Sequence, residues 1–321
     1  MPDFFFIGVT TAQSSIMKLF PLWMEELGRP DVRIRGADLK LHDDPGNYRA
    51  AVLRIKNDPT ALGGLVTTHK IHLLEAARDM FDYLDQDATL CGEVSCLSKN
   101  GSALEGHATD PLCAGLSLDA ILGPDYFGRT GGEFLCLGAG GAAAAILLHL
   151  ARKRSPGDRP RRMILVNRSP RRLDSLRALA AGFNDAIEFE WHCNDSAEQN
   201  DQLMARLTPG SVVVNATGMG KDLPGCPLTA AARFPQRGVA WELNYRGALD
   251  FLKLAQSQRE SRALQVEDGW QYFLHGWTQV IGRVLGCRID DAMFGRLAEI
   301  ANRRAIPSAR QTSASAPGPD D

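Results

Sequence analysis

The stretch Phe134-Leu-Cys-Leu-Gly-Ala-Gly-Gly141, followed by the alanine-rich run Ala142–Leu150 and by Met163-Ile-Leu-Val-Asn-Arg-Ser169, decides the fold. Two apolar runs of strand length flank a glycine turn and a segment of helix length, which makes a strand, turn, helix and second strand. Such a unit cradles a dinucleotide pyrophosphate. Gly138 lets the turn close, Gly140 lets the backbone approach the phosphates, and Ala143 stands where helix and strand must pack closely. Gly141 and Ala142 open a helix whose free N–H groups and positive dipole end face the anion.

The end of the second strand distinguishes one dinucleotide from another. A carboxylate there would grip a ribose 2′-hydroxyl, but this chain offers Asn167, Arg168 and Ser169, then Arg171 and Arg172. Guanidinium forks suit a 2′-phosphate, which a carboxylate would repel. The expected cofactor is NADP(H).

The 321 residues suit two ordinary domains or one large one, and 44% hydrophobic with 23% charged residues is normal for a protein with a sizeable core. A formal net charge of −2 gives no reason to expect nucleic acid or an anionic membrane as partner. No apolar run is long enough to span a bilayer. The opening Met1-Pro-Asp-Phe-Phe-Phe-Ile-Gly8 lacks a basic region before its apolar run, so no signal peptide is read. Seven scattered cysteines favour reduced, buried thiols in a cytoplasmic protein, and no Cys/His spacing suits a metal.

Phe4–Val9 reads as a buried strand, Ile16–Leu27 as an amphipathic helix stopped by Gly28, and Val32–Leu39 as a strand. Asn47–Lys56 is helical, and Gly63-Gly-Leu-Val66 is a strand running into Thr67-Thr-His-Lys70 and a helix over Ile71–Met80. Strand segments at Val94–Leu97 and Gly106–Thr109 surround the turn at Lys99-Asn-Gly101, and Pro111–Leu122 is helical. Gly123–Gly132 is a polar loop crossing between domains. Later strands fall at Ile187–His192, Val212–Asn215 and Val239–Leu243, and a helix follows Asp268-Gly269. The fold class is α/β with two α/β domains and a cleft between them. A substrate-binding domain spans 1–115, completed by helices in 266–306. An NADP-binding Rossmann domain spans 116–265, and the Ser/Ala/Pro/Gly/Asp tail 307–321 is disordered.

Leu65-Val-Thr-Thr-His-Lys70, Gly106-His-Ala-Thr-Asp110, Gly138-Ala-Gly-Gly141, Asn167-Arg-Ser169, Asn215-Ala-Thr-Gly-Met219, Leu243-Asn-Tyr245 and Asp268-Gly269 follow one another in the chain. In this order the chain resembles the shikimate dehydrogenase-like proteins over nearly its whole length. The resemblance implies a catalytic Lys70 with Asp110 as its partner, and Thr67 on the substrate side. It also implies Thr217, Gly218 and Met219 in a loop over the nicotinamide side, Gly269 beside the cofactor at the start of a returning helix, and Tyr245 facing substrate. Chemistry supports the pair independently. Oxidising a secondary alcohol sends a hydride to the nicotinamide and a proton to a base, and a partly desolvated lysine oriented by a carboxylate can serve.

The departures from the family pattern point one way. The lysine motif normally reads Asn-Val-Thr, three residues, then Lys; here Leu65 replaces the Asn, the proline is gone and the spacing is one residue shorter. Ser14 and Ser15 are adjacent, and Ile16 falls where a second carboxylate-binding serine would be. Ser95 stands for an asparagine that binds substrate hydroxyls, and Ala108 for another. Gly276 takes the place of a glutamine, leaving Gln271 and His275 as polar candidates. Proton transfer and cofactor binding are kept, while recognition of a carboxylate and ring hydroxyls is rewritten. The expected substrate is a small polyol, cyclitol or hydroxy acid, handled by a monomer or homodimer. True shikimate or quinate dehydrogenase activity, and a non-catalytic NADP(H) sensor, are the competing readings.

Several residues suit a second role. Ser14 can cap the following helix, His69 and His275 can simply pack, Tyr245 can be a core tyrosine, and Trp270–Trp277 reads mostly as a core stripe. Arg154–Arg162 reads as a solvated loop.

Overall fold

The structure, a computed structural model, describes residues 1–183, 187–221 and 223–305. The tail 307–321, expected to be disordered, lies outside them. The strands among the described residues are β1 (Asp3–Gly8), β2 (Arg33–Asp38), β3 (Ala61–Val66), β4 (Tyr83–Leu84), β5 (Cys96–Asn100), β6 (Ala103–His107), β7 (Phe134–Leu137), β8 (Arg162–Asn167), β9 (Glu188–Cys193), β10 (Val212–Asn215), β11 (Val239–Glu242) and β12 (Gln265–Glu267). They form two sheets in a mixed α/β fold. Among the described residues no helix is long and apolar enough to cross a membrane.

The first compact unit comprises 1–84, 94–107 and 278–305. Its sheet runs β2-β1-β3-β5-β6-β4. β1 pairs in parallel with β2 and β3, but β5 runs antiparallel to both β3 and β6. The tight turn at Gly101–Ser102 makes β5 and β6 an antiparallel hairpin. The helix Ile16–Glu26 ends at Gly28 through bonds from Gly28 N to Glu25 O and from Arg29 N to Met24 O. Its Trp23 is fully buried and donates Nε1–H to Leu297 O at 2.9 Å, tying it to the C-terminal helix Asp291–Ala305.

The second unit comprises 85–93 and 108–277. Its sheet, β12-β11-β10-β7-β8-β9, is parallel throughout, with the order reversing between β7 and β10. Both faces are covered at its centre, so β7 and β10 read as near-unbroken apolar runs, whereas the edge strands β9 and β12 carry charged residues. Phe134, Cys136, Val212 and Val214 pack on one side, and Leu135, Leu137 and Val213 on the other.

Several expectations change here. Gly123–Gly132 is no crossing loop: Tyr126–Thr130 is a short helix whose Tyr126 and Phe127 enter the core of the second unit, Tyr126 Oη donating to Gly210 O at 3.0 Å. The helix Asp110–Leu122 also belongs to the second unit, because it packs directly on Gly141–Ala151. A Cβ on Gly115 would lie 2.2 Å from His149 Nδ1. The cysteines are all free thiols, but Cys193 and Cys287 are exposed, against the expectation that they are buried. In the arginine loop, Arg162 pairs with Glu133 at 2.7 Å and Glu190 at 3.0 Å, and Arg159 Nη1 donates to Lys153 O at 2.7 Å, so these two residues are structural.

Candidate active site and cofactor pocket

The carboxyl ends of β7, β8, β9 and β10 open onto a cavity of about 200 Å³ in the second unit. It lies at the reversal of strand order, where open α/β sheets bind ligands. Gly138, Ala139 and Gly140 form one wall. Gly138 has φ 123°, and a Cβ there would strike Ala216 O at 2.5 Å, so only glycine fits the turn. A Cβ on Gly140 would meet nothing within 4 Å, which leaves room for a ligand to approach the backbone. The helix Gly141–Ala151 begins there, with Gly141 and Ala142 half-buried in its first turn.

Asn167, Arg168 and Arg172 line the same cavity. Asn167 Oδ1 accepts from Ser169 N at 2.9 Å, turning the chain into the helix Pro170–Ala180. The guanidinium groups of Arg168 and Arg172 are exposed, and neither has an ion-pair partner among the described residues. Two uncommitted cations beside a glycine turn and a helix N-terminus fit NADP. Ala216, Thr217, Gly218 and Met219 close another wall, held by Asn215 Oδ1, which accepts from Thr217 N at 3.1 Å and Thr217 Oγ1 at 2.6 Å.

Sequence reasoning missed the wall formed by Asn194, Asp195, Ser196 and Cys226. One local signal was present. Ser196-Ala-Glu-Gln199 is a capping box, with Ser196 Oγ accepting from Gln199 N and Gln199 Oε1 from Ser196 N, so a helix had to start beside the β9 end. The expected cofactor residue Gly269 has a packing reason of its own: a Cβ there would lie 2.0 Å from Leu243 O.

In the first unit, Thr67 N donates to Ile7 O at 2.9 Å at the end of β3, and Thr67 is half-buried. Thr68 takes φ 53°, His69 N bonds back to Thr67 O, and Lys70, half-buried, opens the helix Lys70–Ala77. The shortened motif thus reaches Lys70 through a three-residue turn. His69 is buried against Tyr48, with Tyr48 Oη 3.3 Å from His69 Nδ1, which is the packing role. Burial holds its imidazole below the usual histidine range, and contacts with the Gly8 and Leu39 backbone partly offset that.

Ser95 is buried in the first unit, its N–H donating to His107 O at 2.9 Å and its Oγ–H lying 3.4 Å from the same carbonyl. Ser14 is half-buried and Ser15 exposed. Ser15 is the residue before the helix, and its side chain makes no cap, so the capping role does not materialise at either serine. Ile16 is 0% exposed and points into the core.

Asp110 is in the second unit, nearly buried in the first turn of its helix, where the positive dipole end favours a carboxylate. In the same unit Tyr245 is half-buried, its ring tilted against Phe273 (centroids 4.6 Å) and Trp270 (5.8 Å). His275 is buried in the helix Trp270–Leu285, its carbonyl 3.5 Å from Cys113 Sγ, whereas Gln271 is exposed. Among the described residues no three His, Cys, Asp or Glu side chains gather as a metal site.

No family model matches the chain. A curated relative, the shikimate dehydrogenase (NADP(+)) of Methylobacterium radiotolerans, is 31% identical over 261 residues, covering 75% of this chain and 82% of the relative. Among solved structures, the quinate dehydrogenase of Corynebacterium glutamicum in complex with NAD superposes with TM-score 0.70 at 18% identity, covering 94% of this chain and 99% of that one. The 5-ketofructose reductase of Gluconobacter sp. strain CHM43 gives TM-score 0.66 at 20% identity, covering 93% and 98%. At 31% identity over most of both chains, this sequence belongs to the shikimate dehydrogenase family, NADP-dependent oxidoreductases acting on CH–OH groups.

Proposed function

We propose that the protein interconverts a secondary alcohol and a ketone on a small hydroxylated ring that lacks the carboxylate of shikimate. In this reading the first unit holds the substrate and the second the cofactor. Bound NADP supplies the hydride acceptor or donor. Arg168, Arg172, Asn167 and Ser169 hold its 2′-phosphate, and the Gly138–Ala142 turn and helix start hold its pyrophosphate. Thr217, Gly218 and Met219 border its nicotinamide. Lys70 accepts or returns the hydroxyl proton, and Asp110 orients the ammonium.

Ile16 is the observation that carries the substrate reading: a fully buried isoleucine offers no hydroxyl where a carboxylate-binding serine is expected. Leu65 is likewise buried and apolar, and the Ser95 hydroxyl is turned toward a backbone carbonyl. A site stripped of such donors loses affinity steeply for a ligand that needs them. A solved structure of the same fold belongs to a 5-ketofructose reductase, whose substrate has no carboxylate. Ser14, Ser15, Thr67, Ser95, Tyr245, Gln271 and His275 remain the polar groups proposed to meet the substrate.

The second reading is shikimate or quinate dehydrogenase activity, favoured by the relative at 31% identity. A panel of shikimate, quinate, inositols and other cyclitols, assayed for NADP+ reduction with Lys70→Ala as control, separates the two. Lysine-dependent turnover of a carboxylate-free polyol with shikimate ignored supports the proposal; efficient shikimate oxidation sinks it. NADPH binding with no turnover on any substrate would favour a sensor.

A further inference from the structure

Glu242 ends β11 beside Asn215 at the end of β10, and it is 0% exposed. Its Oε2 accepts from Asn215 Nδ2 at 2.6 Å, and its Oε1 accepts from Asn244 N at 2.8 Å and Asn244 Nδ2 at 2.7 Å. It makes no ion pair among the described residues. A buried carboxylate is therefore held by amides alone, an expensive arrangement unless those amides do something the fold needs.

Both amides lead to one loop. Asn215 Oδ1 takes the N–H and hydroxyl of Thr217, and Thr217 Oγ1 accepts from Met219 N at 3.2 Å. Asn244 Nδ2 also reaches Met219 O at 3.2 Å and Thr217 O at 3.4 Å. Ala216–Met219, the loop so gripped, forms a wall of the cofactor cavity. We propose that the ionised carboxylate of Glu242 is the positioning residue of this wall, setting the loop for the dinucleotide through Asn215 and Asn244. The inference rests on the cavity being the NADP site.

The donors select the ionised form. A proton on Oε2 would face the Asn215 amide N–H₂, whose own oxygen is committed to Thr217; a proton on Oε1 would face two N–H donors from Asn244. Burial works the other way and, against the pull of those donors, raises the carboxyl to about 7. The thiol of Cys226, itself pushed up by burial, feels the Glu242 charge together with those of Asp250 and Asp201. The loop is thus gripped fully in mildly alkaline solution and released near the acid side of neutrality.

The test is the NADPH dissociation constant of wild type and Glu242→Gln, read by fluorescence from about pH 6 to about pH 8.5, with thermal melting as a check on folding. Glutamine keeps the shape but turns an N–H₂ toward donors. The expected result is about tenfold weaker NADPH binding by the variant at the alkaline end, with the gap closing at the acid end. Taking the ratio removes the titration of the cofactor's own phosphate. A ratio of one at every pH, or a constant gap that ignores pH, overturns the proposal. Should Glu242→Gln not fold, Asn244→Ala replaces it: the backbone N–H of residue 244 stays and the Nδ2 donor is lost, so one of three donors goes and the wild-type pH midpoint should move upward, and an unmoved midpoint overturns the proposal. Wild type that binds no NADPH at any pH would instead sink the cofactor reading, and this inference with it.

Discussion

The backbone N–H of His69 closes onto the carbonyl of Thr67, and Thr68 between them is held at φ 53°. A β-branched residue in the left-handed region costs about 1–2 kcal/mol, and here the cost falls two residues before Lys70. Thr68→Gly is expected to remove the strain and give a net stability gain of about 1 kcal/mol in urea unfolding, while turnover falls because Lys70 is less tightly placed. Thr68→Ala should give no such gain. Equal stability of the glycine and alanine variants would show that the turn is unstrained.

His69 makes the first unit sensitive to acid. Its imidazole is held below 6.5 by burial, so the unfolded chain binds the proton more tightly. The stabilising contribution is fully present above 6.5 and is lost as pH falls through the lower folded value. His69→Phe keeps an aromatic ring beside Tyr48 without the titration. The difference in unfolding free energy between wild type and variant should therefore shift below about pH 6.5 and stay flat above it.

Arg168 and Arg172 are expected to act on one phosphate. Each alanine substitution should weaken NADPH about tenfold or more, in line with a lost charge-assisted hydrogen bond, and leave NADH nearly unchanged. Parallel binding titrations with the two cofactors check this. Equal losses for NADPH and NADH would place the guanidinium groups on the pyrophosphate.

Gly138→Ala should cost about 3 kcal/mol or more, combining a disfavoured φ with a Cβ set against the Ala216 carbonyl. The same substitution at Gly140 meets open space. There the expected loss is of cofactor affinity, with melting temperature held. Melting and NADPH titration of both variants separate a glycine needed by the turn from one needed by the ligand.

The second unit was largely legible because its signals are local. The Phe134–Leu137 run, the glycine turn and the Asn167–Ser169 strand end each declare themselves within a few residues. Parallel strands buried on both faces need no partner to be recognised. The first unit was less open to reading. That β5 turns antiparallel to β3 depends on pairing between distant segments. In the second unit the helix at Tyr126–Thr130 was missed as well, because two aromatics find the core through a polar-looking stretch. The three-residue turn before Lys70 was visible only as a shortened spacing, since its backbone conformation is a tertiary outcome. The Asn194–Ser196 wall was missed because pocket walls gather from strand ends far apart in the chain.

The imidazole of His149 fills the space that any side chain at position 115 would need, and it is anchored there by Asp119 at 2.9 Å. Neither position can change alone. A larger residue at 115 requires a smaller one at 149, and losing the histidine leaves a gap that Gly115 cannot fill. The distance between these two helices is therefore set by one ring standing over one absent side chain.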